Sequence, residues 1–423
     1  LPNACLQSDF VGFPDNRGEK VWTPNTNTSE DCLYLNIWIP ASVFEEKENK
    51  LATVMFWIYG GGFFSGSSAL DVYNGAVLAA ENEVVVVSTQ YRVGPLGFLF
   101  FGTDDAPGNV GLLDQVQALK WTNQHINHFG GDSNSITVFG ESAGGASTSY
   151  HSLSPLSRTL FKRSILMSGI STVDSWAVNH PKKAREVSYR LANLVGCDTK
   201  SSPQSIVTCL KEADPKKLNS IQWKLTSGKI VSFPFKPTVD GYFLHDMPLN
   251  IVGTRDAKRH EIIIGTTKDE GSYLLIYQYM KYLSEKKATS VPFGKYIDMM
   301  KEVFWPFSDF EKDLIIDFYT NWENPNDGYQ NQKIISQAIG DYFFVCPIRR
   351  YADTWSNRGL KVFFYQFTQR TSTNPWAEWM GVMHGDEIEY VFGEPLKKPD
   401  LFTPAEAELS KHMSKLFAQF AKT

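Results

Sequence analysis

No run of apolar residues in this chain approaches the roughly 18 needed to cross a bilayer as a helix. Tandem repeats, low-complexity tracts and Gly/Ser- or Pro-rich linkers are also missing, so residues 1–423 are expected to form one domain rather than a string of modules. Positive charge is not in excess. With 41 Lys and Arg against 46 Asp and Glu, the formal charge is −5, which argues against a nucleic-acid partner and is compatible with a cationic ligand. Cysteine is scarce and odd in number, at five, so if four pair in an oxidising compartment one thiol is left over. The chain opens on Leu1 without a signal-peptide pattern, and the expectation is a trimmed or fragmentary sequence. One N-x-S/T sequon, at Asn27, hints at a secreted protein glycosylated there.

What is present is ample for a core, since 42% of the residues are hydrophobic. Residues 1–30 show no period and read as loop, with turn-forming residues around Phe10, Phe13 and Trp22. Strands are expected at Cys32–Ile39, Thr53–Tyr59, Glu83–Ser88, Ile136–Phe139, Phe161–Met167, Glu261–Gly265 and Leu360–Phe367. Several of these are apolar on both faces, as strands of a parallel sheet covered on both sides must be. Helical spacing is expected at Ala76–Glu81, Leu112–Asn127 and Pro404–Lys422, and a charged surface turn at Glu45–Lys50. Strands alternating with helices imply βαβ units, hence an α/β fold with a mostly parallel central sheet, helices on both faces and a large helical insertion.

Chemistry enters at Ile136-Thr-Val-Phe-Gly140-Glu-Ser142-Ala-Gly144-Gly145. A β-branched run meets a G-x-S-x-G turn and then small residues able to open a helix, which is the context of a nucleophile elbow. A serine hydroxyl needs a base to take its proton and an acid to orient that base. In the chain order serine, acid, histidine, only His384 and His412 lie late enough. His412 falls within the final helix, whereas His384 follows the last strand in a glycine-flanked loop. The acid should leave an earlier strand, as Asp269 and Glu270 both do, with Asp240 a weaker rival. Spacing does not separate the first two. Tyr59-Gly60-Gly61-Gly62 directly follows a strand, and its glycine amides, with that of Ala143, could hold an oxyanion. The same glycines lack the Gly-Lys-Ser/Thr of a phosphate-binding loop.

These residues resemble a known family. Glu30-Asp-Cys-Leu-Tyr-Leu-Asn-Ile-Trp38 and Phe139-Gly-Glu-Ser-Ala-Gly-Gly145 resemble the two signatures of type-B carboxylesterases. Trp57-Ile-Tyr-Gly-Gly-Gly-Phe63, Lys268-Asp-Glu-Gly-Ser272 and Trp376-Ala-Glu-Trp-Met-Gly-Val-Met-His384-Gly385 are similar, more narrowly, to cholinesterases. The resemblance runs over the whole chain. It implies an α/β-hydrolase fold, no cofactor and no metal, and a triad of Ser142, Glu270 and His384. It also implies a gorge in which Trp22, Glu141 and Tyr273 meet a quaternary ammonium, with Tyr73, Trp176, Trp223 and Tyr277 along its walls. Val231, Phe233 and Leu274 stand at the acyl pocket. Two of these are smaller than the phenylalanines common in acetylcholinesterases, so a pocket wide enough for longer acyl groups is expected. Asp386 stands where vertebrate members carry an aromatic, and Phe64 where they carry a tyrosine.

By the same resemblance Cys5–Cys32 and Cys197–Cys209 pair, Cys346 stays unpaired, and both ends of the family's domain lie outside this chain. The C-terminal helix used in dimerisation is among the parts outside, so the resemblance leaves the oligomeric state open. A small choline ester is the implied substrate, hydrolysed outside the cell. A broad carboxylesterase and a non-catalytic adhesion protein on the same fold are the rival readings, the latter disfavoured by the presence of Ser142, Glu270 and His384.

Overall fold

The structure, a computed structural model, describes residues 1–8, 11–45, 51–226 and 228–423. Phe10 and most of the charged turn expected at Glu45–Lys50 fall outside the described residues. Among the described residues seven strands form the central sheet, and all seven overlap strands expected from sequence. They are β1 (Leu35–Trp38), β2 (Ala52–Ile58), β3 (Val85–Thr89), β4 (Gly131–Glu141), β5 (Arg163–Met167), β6 (Ile262–Thr267) and β7 (Val362–Phe367). Their spatial order is β7-β6-β5-β4-β2-β3-β1. Every neighbouring pair is parallel except β1, which runs antiparallel along β3.

The order explains where a site can form. From β2 the chain steps to β3 on one side, then crosses back to place β4 on the other side of β2. Adjacent strands whose connections leave in opposite directions open a crevice at their carboxyl ends. Ile58 pairs with Gly140 at the ends of β2 and β4, so the glycine loop after Tyr59 and the serine turn after Glu141 emerge side by side.

Strand alternation divides the core between the two faces. On β5 and β6, Leu166, Ile262 and Ile264 pack with Ala146, Tyr150 and Leu153 of the helix α1 (Ala143–Leu153). Ile165 and Ile263 point the other way, toward Phe417 and Ala421 of the helix α2 (Pro404–Lys422). Each such side chain taken fully from water is worth about 1.5–3 kcal/mol. The start of α2 follows from local sequence. Thr403 accepts from the Glu406 N–H, Glu406 accepts in return from the Thr403 N–H, and Pro404 occupies the first helical position.

Two stretches differ from the sequence reading. Residues 1–30 are not all loop: Ala4–Cys5 pairs in parallel with Thr28–Ser29, and Arg17–Lys20 forms a helical turn capped by Asn16. A pairing only two residues long has no measurable period, so the pattern could not announce it. Phe100–Thr103 and Ala106–Pro107 likewise form a small hairpin inside a stretch that carried no strand signal. Cys5 is bonded to Cys32 and Cys197 to Cys209, while Cys346 is free and exposed.

Candidate active site

Ser142 sits between β4 and α1 with φ 56° and ψ −122°, a region that non-glycine residues rarely occupy. The strain lies on the serine itself. Gly140, Gly144 and Gly145 have no positive φ; they are needed because there is no room for a side chain. A Cβ on Gly144 would collide with the Ile58 carbonyl, and one on Gly145 would lie 2.8 Å from the Gly169 oxygen and 2.9 Å from that of Met167. Ser142 N–H donates to Met167 O at 2.8 Å, and Ser142 O accepts from Ala146 at 2.9 Å, which holds the turn against β5.

His384 lies in the loop after β7, and its Nδ1 is 2.6 Å from Glu270 Oε2. Glu270 follows β6 and is buried, at 1% exposure. Its other oxygen accepts from Thr267 N–H at 2.8 Å and from Ser168 Oγ at 2.6 Å. The carboxylate is therefore fixed from three sides, and Nδ1 carries the proton while Nε2 is left as a base. The two acids that sequence could not separate are parted here. Asp269 turns away and accepts from Val382 N–H at 2.9 Å, bracing the loop that delivers His384. Asp240 instead caps a turn through the N–H groups of Tyr242, Phe243 and Leu244, and His412 stands on the exposed side of α2.

Glu141, beside the serine, places Oε1 3.2 Å from His384 Nε2. That oxygen nonetheless has no hydrogen-bond partner among the described residues. The contact is one of charge without alignment, and Nε2 is left free to accept from a hydroxyl donor. Burial raises the Glu141 carboxyl above its ordinary range, with Glu270 adding to the rise and His384 opposing it. Burial alone would lower the His384 imidazole, but Glu141 and Glu270 outweigh it and hold the ring above its ordinary value.

Gly61 and Gly62 have φ 108° and 59° and line the same cavity as Ser142 and His384. Among the described residues no hydrogen bond is donated by the Gly61, Gly62 or Ala143 N–H, so three amides are available to a developing oxyanion. Tyr59, which replaces the histidine of HGGG-type loops, is buried away from the cavity. It stacks on Tyr91 at 4.3 Å, and each hydroxyl donates to the other residue's carbonyl.

The cavity holds about 520 Å³. It brings together Trp22, Tyr73, Glu141, Trp176, Trp223, Val231, Phe233, Tyr273, Leu274 and Tyr277, all the gorge and acyl-pocket residues expected from sequence. Ala143 and Glu270 stand behind its wall. Asp386 lies beneath the His384 loop, where its carboxylate accepts from Met383 N–H at 2.8 Å and Asn374 Nδ2 at 3.1 Å. Burial pushes that carboxyl up to about 7.

Three residues here escaped the sequence reading. Phe344 packs its ring 4.5 Å from His384 and 5.7 Å from that of Trp176, and it lines the cavity. It belongs to a π-turn at Asp341–Val345, a local irregularity that no hydrophobic period encodes. Ser168 anchors Glu270 from the end of β5. Glu387, buried, places a third carboxylate near the imidazole. Its Oε1 is 3.2 Å from Tyr365 OH and 3.4 Å from Ser168 Oγ, and its Oε2 has no hydrogen-bond partner among the described residues. Its position three residues after His384, in an acidic run, was a usable signal. Among the described residues no helix is long and apolar enough to cross a membrane, and no group of three or more acidic, His or Cys side chains could hold a metal.

An elbow serine, an imidazole backed by a buried carboxylate and a set of free amides on a doubly wound parallel sheet define an α/β hydrolase. The sequence model of the carboxylesterase family matches residues 1–423, and the chain belongs to that family. Among its relatives, the acetylcholinesterase of Leptinotarsa decemlineata is 42% identical over 438 residues, spanning 100% of this chain and 69% of that protein. The cholinesterase of Mus musculus is 43% identical over 422 residues, spanning 99% of this chain and 69% of that one. The acetylcholinesterase of Bungarus fasciatus is 40% identical, spanning 99% and 68%. This chain is accordingly a carboxylic ester hydrolase, a serine esterase of the cholinesterase and carboxylesterase group.

Proposed function

We propose that the chain hydrolyses choline esters through an acyl-enzyme on Ser142. His384 takes the serine proton and returns it to the departing choline, Glu270 orients the ring and stabilises its charged form, and the Gly61, Gly62 and Ala143 amides hold the oxyanion. The observation that carries this reading is the composition of the cavity wall. Beside Ser142 and His384 it presents the rings of Trp22, Tyr73 and Tyr273 and the buried carboxylate of Glu141. An ammonium held over such rings gains about 0.5–2 kcal/mol per contact, and a nearby carboxylate adds to it.

In this reading the acyl side is bounded by Val231, Phe233 and Leu274, and Phe344, which lines the same cavity, is assigned to it. The phenylalanine restores bulk that the two aliphatic residues give up, and acetyl esters are the preferred substrates in this reading. The relatives named as cholinesterases support it. The two disulfides favour an oxidising compartment and hence an extracellular site of action. The apolar walls also suit neutral esters, which keeps a broad carboxylesterase as the second reading.

The test compares kcat/KM for acetylthiocholine with that for an uncharged isostere carrying tert-butyl in place of trimethylammonium. Trp22→Ala should lower the charged substrate at least tenfold more than the neutral one. Equal losses, or no preference for the cation in the unaltered chain, would leave the broad carboxylesterase.

A further inference from the structure

Lys236 is the only lysine among the buried side chains of the described residues, at 6% exposure. Among the described residues no carboxylate lies within ion-pair distance of it, and the acidic influence it feels is that of Asp174, itself exposed. Burial of an ammonium without a partner is costly and pushes this amine down to about 7. Its Nζ donates to the carbonyl of Ser175 at 2.7 Å.

That bond joins the two segments which form one wall of the cavity. Ser175 immediately precedes Trp176, and Lys236 closes the loop that begins with Val231, Ser232 and Phe233; those three residues and Trp176 line the cavity. The loop is short of backbone donors because Pro234 and Pro237 have no N–H. Farther along, Asn179 N–H donates to Pro237 O at 2.7 Å, and Thr238 Oγ1 to Asn179 O at 2.9 Å. Nearer the cavity, two side-chain bonds tie the segments: Asn179 Nδ2 to Pro234 O at 3.2 Å, and Lys236 Nζ to Ser175 O. Val231 meanwhile holds φ at +55°, a strained setting for a β-branched residue that persists only where its surroundings impose it.

We propose that Lys236 is a specificity-positioning residue: from behind the wall it fastens the 231–237 loop to the segment carrying Trp176 and so sets the width of the acyl side of the cavity. The inference rests on the acyl-pocket reading above. Lys236 does not touch the substrate, and its bond acts through the placement of Val231 and Phe233.

The experiment substitutes Lys236→Met, which keeps the length of the side chain and removes the donor, with Lys236→Gln as a second variant. Active sites are counted with an organophosphate so that only folded enzyme is compared. The butyryl-to-acetyl ratio of kcat/KM should rise about tenfold, the scale at which a hydrophobic pocket discriminates one or two methylenes. The rise should be the same for thiocholine esters and for uncharged thioesters, because the choline side is unaltered. Thermal midpoints should not fall, since an unpaired buried charge has been removed. A ratio within twofold of the unaltered chain for Lys236→Met, or a lower midpoint with an unchanged ratio, would overturn the proposal and reduce Lys236 to a structural tie; Lys236→Gln, which keeps a shorter donor, should give the smaller rise. Failure of the choline reading shows separately, as an absence of cation preference in the unaltered chain, while the acyl ratio on neutral esters still decides the role of Lys236.

Discussion

Replacing Glu141 with glutamine should move the acid limb of the pH–rate profile to lower pH and weaken the cationic substrate selectively. The sign follows from the charge contact at 3.2 Å between Glu141 Oε1 and His384 Nε2. A base must be neutral to accept a proton, so activity rises with pH through the pKa of His384. That pKa is held above its ordinary value by Glu141 and Glu270 against the effect of burial. Removing one anion lets it fall, and the neutral ring then persists to lower pH. At an effective dielectric near 20, two unit charges at this distance attract by about 5 kcal/mol. Burial raises the Glu141 carboxyl and leaves it only partly ionised, which discounts that figure. About a third of it, ~1.5 kcal/mol, corresponds to a downward shift of about one pKa unit. The assay is kcat/KM between pH 5 and 9 for acetylthiocholine and its uncharged isostere, by quenched time points. Both profiles should shift, because the imidazole serves both. Only the charged substrate should also lose about tenfold on the plateau. An acid limb that stays in place for both substrates would refute the argument that Glu141 sets the charge state of His384. A plateau loss shared equally would refute its role toward the cation.

Two other outcomes follow from strain and burial. Ser142→Gly should abolish turnover and yet stabilise the fold by about 1–3 kcal/mol in urea denaturation, because glycine adopts φ 56°, ψ −122° without strain; Ser142→Ala should abolish turnover with no such gain. The Asp386 carboxyl, raised by burial to about 7 from an ordinary value near 3.8, binds its proton more tightly in the folded chain. Its ionisation therefore lowers stability as pH rises from 4 to 7, and Asp386→Asn should flatten that decline in a series of thermal midpoints, whereas an unchanged slope would count against it.

The elements that were legible in the sequence are those that depend on near neighbours. The buried β-branched strands, the glycine turn at Ser142 and the amphipathic helix over Pro404–Lys422 each involve residues a few positions apart, and their signals survive without knowledge of the fold. His384 was reached through chain order and its loop setting. Asp269 and Glu270 could not be told apart by spacing, since adjacent residues leave a strand from the same place. The resemblance chose Glu270, and the geometry gives the reason: Asp269 is engaged by the Val382 amide and Glu270 by Ser168 and Thr267. Phe344 was invisible for another reason. Its role comes from a π-turn and from packing on His384, 40 positions later, and neither is written in a local pattern.

By itself, then, the sequence determined that a strained serine would stand at the end of a buried strand, because close packing around Gly140, Gly144 and Gly145 is a short-range steric matter. Only the tertiary structure decided what that serine faces. Strand order brought β2 and β4 together, and with them the glycine loop and the elbow. The same sheet delivered Glu270 and His384, 114 positions apart, to within 2.6 Å. It also gathered Glu141, Glu387 and Phe344 around one imidazole. Their charges and volume act through space at distances the chain order does not specify.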